Sequence, residues 1–177
     1  ARRLDEAAAW YGRSLALKPD FGDAQNALGG VLAEAGRLRE AALVFQRLAD
    51  AHPSQPRLRY NLGVVQRGLG RLTDAERSFR RSLELDPNHP DGLNNLATVL
   101  IELGRHGEAG TAGNRALALK PAHAEALNNL GALHRNRGEL QHAEAQFRDA
   151  LRAKPNFPAA HQNLALLLAT SDRLPEA

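Results

Sequence analysis

A chain of 177 residues that is 43% hydrophobic and 24% charged has the composition of a folded, soluble protein. Its mean hydropathy of −0.43, without an apolar run approaching about 18 residues, excludes a helical membrane span. Cysteine is absent, which excludes disulfides, thiolate metal sites and cysteine nucleophiles. The pI of 9.8 reflects twenty arginines against three lysines, and a formal charge of +3 does not by itself imply nucleic-acid binding.

The chain opens with Ala1-Arg2-Arg3, contains no methionine and shows no signal-peptide core, so it is expected to be a piece of a longer, cytoplasmic polypeptide. Residues 1–21 are mainly one helical stretch closed by Pro19. Four units follow at 22–55, 56–89, 90–123 and 124–157, and 158–177 begins a sixth. The closing prolines Pro19, Pro53, Pro87, Pro121 and Pro155 step by 34 residues, the mark of a repeat array. Leu28, Leu62, Leu96, Leu130 and Leu164 obey the same step, as does the column Ala7, Ala41, Ala75, Ala109, Ala143 and Ala177.

Each complete unit splits into two apolar-periodic stretches of about 13 residues. Gly36, Gly70, Gly104 and Gly138 divide them and suit the left-handed residue that follows a helix C-terminus. Pro56, Pro90 and Pro158 stand where a first helical turn accepts proline. Each unit is therefore predicted to be a helix, a turn and a second helix. Gly29, Gly63, Ala97, Gly131 and Ala165 in the first helices let backbones approach, while Phe45, Phe79 and Phe147 in the second fill the layer between.

With these features, "ALNNLGALHRNRGELQHAEAQFRDALRAKPN" (126–156) resembles a tetratricopeptide repeat, and the resemblance covers the whole chain. It implies an all-α solenoid of antiparallel helix pairs stacked into a right-handed superhelix with a concave groove. Residues 1–177 are expected to be a single array with both terminal repeats partial.

The stretches "GLNNLA" (92–97) and "ALNNLG" (126–131) place asparagine pairs inside helices that disfavour them. On a helical wheel Leu127, Leu130 and His134 share one side, and Asn128, Asn129 and Arg135 lie in a sector of about 120° opposite. The resemblance implies that this sector lines the groove, with Asn61, Asn95, Asn129 and Asn163 as a ladder and Asn26, Asn94 and Asn128 beside it. The unit 22–55 departs, carrying Ala27 in the ladder column. An amide complements the C=O and N–H of a peptide unit, so such a row suits an extended backbone, although the same amides can also tie neighbouring helices together. The row is similar to that of the O-linked N-acetylglucosamine transferases and their bacterial relatives. Arg67 and Arg135 are the cations placed to meet an acidic ligand side chain. Chaperone-clamping relatives carry lysine and arginine where this chain has Asn26, Tyr60, Asn94 and Asn128, which argues against that clamp.

The surplus arginine belongs to second helices on the expected outer surface, without the interleaved aromatics of a nucleic-acid track. No histidine pair has the i, i+4 spacing of a helical metal site. Nor does a nucleophile with its base, a phosphate loop or a carboxylate pair emerge, so no cofactor and no enzyme activity are expected of this stretch. A protein or peptide partner is expected, with no nucleic acid. The alternatives are a substrate-recruiting arm of a larger glycosyltransferase and a structural scaffold acting through its outer surface. The terminal Leu164, Leu167 and Leu168 are expected to lie open and to favour end-to-end self-association. In the third unit His106 replaces a leucine and Gly113 a phenylalanine, which predicts a soft second helix at 106–119.

Overall fold

A computed structural model of the chain describes residues 2–18 and 21–171; Pro19 and Ala177, two markers of the period, lie outside these. The described residues form helices only. They divide into two compact units, Ala1–Pro87 and Asn88–Ala177.

The first unit holds α1 (Arg2–Leu17), α2 (Gly22–Glu34), α3 (Leu38–Ala51), α4 (Pro56–Gly68) and α5 (Leu72–Leu85). Each packs on the next in chain order. The second holds α6 (Pro90–Glu102), α7 (His106–Leu119), α8 (Ala124–Asn136), α9 (Leu140–Ala153) and α10 (Pro158–Ser171). Here the helices pair as α6 with α7 and α8 with α9, and α8 also touches α6 and α10. Both units are thus stacks of helix hairpins, the all-α solenoid architecture expected from the sequence.

Local chemistry sets the boundaries. Gly36, Gly70, Gly104 and Gly138 have φ between +72° and +77°, a region where a Cβ is strained. The residue after each returns its N–H to a carbonyl five positions earlier, as Arg37 does to Leu32 O at 2.8 Å and Arg105 to Leu100 O at 2.8 Å. These bonds satisfy helix-end carbonyls and turn the chain back on itself. Pro56 and Pro90 open α4 and α6, where a missing N–H costs nothing.

Glycine and phenylalanine interlock across the hairpins. A Cβ on Gly29, Gly63 or Gly131 would fall 2.7, 2.8 or 2.6 Å from the rings of Phe45, Phe79 and Phe147. Phe79 and Phe147 are fully buried, each contributing on the order of 2–3 kcal/mol of apolar burial. In the third repeat the pair is exchanged for Ala97 and Gly113, both buried. Leu130 of α8 moves against Gly113, its Cγ 3.1 Å from where a Cβ would stand, so the neighbour fills the space the ring would have taken. Of the leucines expected to lie open, Leu167 is in fact buried against Ala143 and Phe147, and Leu164 packs on the same cluster. The preceding hairpin already covers that face of α10, and Leu168 alone of the three is exposed.

Candidate functional site

The asparagines occupy the first helices α2, α4, α6, α8 and α10. In the second unit they form bonded rungs between successive repeats. Asn129 Nδ2 donates to Asn94 Oδ1 at 3.0 Å and to Thr98 Oγ1 at 3.0 Å. Asn163 Nδ2 donates to Asn128 Oδ1 at 2.9 Å, while Asn163 Oδ1 accepts from Arg135 Nη1 at 3.3 Å. In the first unit Asn61 Nδ2 donates to Asn26 Oδ1 at 3.3 Å. Each rung joins an asparagine of the Asn61, Asn129 and Asn163 column to one of the Asn26, Asn94 and Asn128 column in the preceding repeat, 35 residues earlier.

The two columns therefore have different environments. Asn94 and Asn128 are each only 8% exposed, their amide oxygens turned to the next repeat. Asn26, Asn61, Asn129 and Asn163 are half-buried, and Asn95 and Arg67 are half-buried and engaged with neighbours. Asn129 uses both N–H groups on the preceding repeat, which leaves Oδ1 as its remaining hydrogen-bonding atom. The structure thus brings the asparagines together in three bonded pairs and adds Arg135 to one of them. Tying neighbouring repeats is a role the sequence allowed for these amides, and the rungs perform it.

The charges beside these rungs are largely compensated. Lys154 Nζ donates to Glu125 Oε1 at 2.7 Å, and this bond holds the Glu125 carboxyl below the usual carboxylate range against the opposing effect of burial. Asp91 Oδ1 meets His123 Nε2 at 2.9 Å. His123 itself is a residue whose part the sequence did not reveal. Its ring is buried, and Nδ1 accepts the Ala126 N–H at 3.4 Å, capping α8. The signal available was its place immediately before a first helix, where a side-chain acceptor is favoured. His161 is exposed, and its Nε2 reaches Pro155 O at 2.9 Å. A ring nitrogen that finds a turn carbonyl has no reason to enter the core.

Among the described residues no group of three or more His, Asp or Glu side chains is placed to hold a metal ion, and no helix is long and apolar enough to cross a membrane. His134 and His142 stack at 5.5 Å between ring centroids, with His134 Nδ1 2.5 Å from Glu139 Oε2. The second-helix arginines are exposed and largely paired along their own helices, as Arg81 with Glu84 at 2.7 Å and Arg80 with Glu76 at 2.9 Å.

Models of the tetratricopeptide repeat match residues 1–56, 60–124 and 123–154. The chain belongs to the tetratricopeptide repeat family. Solved tetratricopeptide folds superpose on it well. MamA is 20% identical at a TM-score of 0.78, covering 86% of this chain and 89% of its own. YrrB, described as a repeat protein with an unusual peptide-binding site, is 22% identical at 0.73, covering 98% and 85%. Pseudomonas aeruginosa pilF is 25% identical at 0.77, covering 86% and 69%. No curated protein matches the chain in sequence. For a tetratricopeptide array, the face of the first helices carrying the rungs is the candidate site.

Proposed function

We propose that this chain is a protein-interaction scaffold that holds an extended peptide segment against the first helices of its asparagine-bearing repeats. The observation that supports the reading is the state of Asn129. Its two N–H groups are taken by Asn94 and Thr98, so the amide is locked in one orientation with its oxygen unengaged. An acceptor fixed before binding loses little rotamer freedom when a peptide N–H reaches it. Asn163, held by Asn128 and Arg135, is positioned by the same means one repeat later. Backbone recognition of this kind tolerates varied side chains, so the partner class is an extended segment rather than one sequence. The peptide-binding site named for the similar YrrB is consistent with this use of the fold.

A second reading keeps the asparagines purely structural and puts the partner on the outer surface, and the inter-repeat bonds favour it to the extent that they already occupy every donor of Asn129. The two separate on one experiment. Peptides selected from a displayed random library are titrated calorimetrically into wild type, Asn129→Ala and Asn163→Ala, with helicity checked by circular dichroism. The scaffold reading expects at least a two- to tenfold loss of affinity per lost bond. Unchanged affinities in folded variants assign the partner to the outer surface instead.

A further inference from the structure

An arginine-lined cleft lies in the first unit. Helices α3, α4 and α5 enclose a cleft of about 630 Å³ whose lining shares no residue with the Asn26–Asn61 rung. Arg59 lines it from α4, two residues or about 200° around the helix from Asn61, on the opposite side. Five arginines line the cleft against two carboxylates, Asp74 and Glu84.

Three of these arginines have donors to spare. Arg59 occupies the column that Leu93 and Leu127 fill with buried leucine, so a guanidinium enters where its repeat-mates are apolar. Its Nη2 donates to Ala49 O at 3.2 Å and Asp50 Oδ1 at 3.1 Å, but its Nε is buried with no acceptor. A buried donor left unmade is costly, and neither of these bonds uses the Nη1 group. The Arg71 side chain has no hydrogen-bond or ion-pair partner among the described residues. Arg77 is 82% exposed, and its Nη1 is 3.9 Å from Asp74 Oδ1. Beneath them Ser78 Oγ donates to Gln66 Oε1 at 2.6 Å, a satisfied, buried polar pair.

We propose that this cleft docks an acidic peptide segment, whose carboxylates take the spare N–H groups of Arg59, Arg71 and Arg77. Guanidinium groups match carboxylates in plane and donor spacing, and the excess of arginine supplies the complementary charge. No aromatic ring lines the cleft, so nothing there would stack a nucleic-acid base. The site is independent of the asparagine rungs and stands whether or not they hold a peptide.

The test is fluorescence anisotropy of labelled hexaglutamate with the whole chain at low salt. Binding is expected, weakening as salt is added, with hexaglutamine binding more weakly and without that salt dependence. The exposed double variant Arg71→Gln/Arg77→Gln should bind about three- to tenfold more weakly. Arg59→Leu, which restores the apolar column, should weaken binding while raising the melting temperature. Absent hexaglutamate binding, equal affinity in the double variant, or preferential capture of oligodeoxythymidine would each overturn the proposal.

Discussion

Asn129 on α8 donates to Asn94 on α6 at 3.0 Å, and the accepting side chain is only 8% exposed. A donor lost here leaves a buried oxygen behind. Asn129→Ala should therefore cost about 1–3 kcal/mol, the range for an unsatisfied buried polar group. Urea unfolding reads this directly, and a cost under about 0.5 kcal/mol would show that water replaces the amide freely.

Gly131 and Phe147 make the tightest of the interlocks, with the position of an added Cβ 2.6 Å from Phe147 Cε1. The ring is fully buried and cannot swing into solvent. Gly131→Ala is expected to destabilise by about 1–3 kcal/mol through overpacking. A thermal melt at or above that of wild type would mean that α8 and α9 separate without strain.

Helix α7 carries glycines without that reason. Gly107 has nothing within 4 Å of an added Cβ, and the nearest atom to one on Gly110 is Arg137 Nη2 at 3.9 Å. Gly107→Ala and Gly110→Ala should each stabilise by about 0.5–1 kcal/mol, because alanine loses less backbone entropy in a helix. In the unaltered chain, amides of 106–116 should exchange faster than those of 140–150. Equal protection would show that the contact of Leu130 with Gly113 compensates fully.

Glu125 gives the pH dependence its sign. Lys154 lowers its folded pKa below the ordinary value of 4.5. Its contribution is therefore present above that value and is lost as pH falls through the depressed folded one. Glu125→Gln should lower the melting temperature at pH 7, with the difference closing well below pH 4.5. The carboxylate side chain is 44% exposed, so the effect should be small and shrink with salt. A difference constant across pH would tie the substitution to something other than the ion pair.

Much of the fold was legible because it follows from short-range chemistry. The positive φ at Gly36, Gly70, Gly104 and Gly138 and the openings at Pro56 and Pro90 are backbone requirements that glycine and proline announce wherever they occur. The candidate site was legible only as columns. The 34-residue step set Asn61, Asn95, Asn129 and Asn163 in one line and Asn26, Asn94 and Asn128 in another. That the bonds run diagonally between the lines, burying Asn94 and Asn128, depends on how far one first helix is displaced along the next. Arg59 shows the same limit. Its column announces a leucine position, but only the packed structure shows Nη2 held by Ala49 and Asp50 while Nε goes without an acceptor.

The sequence by itself determined the repeat length, the helix hairpins, the turns and the small residues opposite Phe45, Phe79 and Phe147. These rest on periodicity and on backbone preferences that act within a few residues. Tertiary structure alone decided that Leu130 would fill the place of a missing ring, that His123 would meet Asp91, and which amide would donate to which. Those outcomes turn on angstrom-scale offsets between segments more than 15 residues apart, which hydrophobic spacing along the chain does not encode.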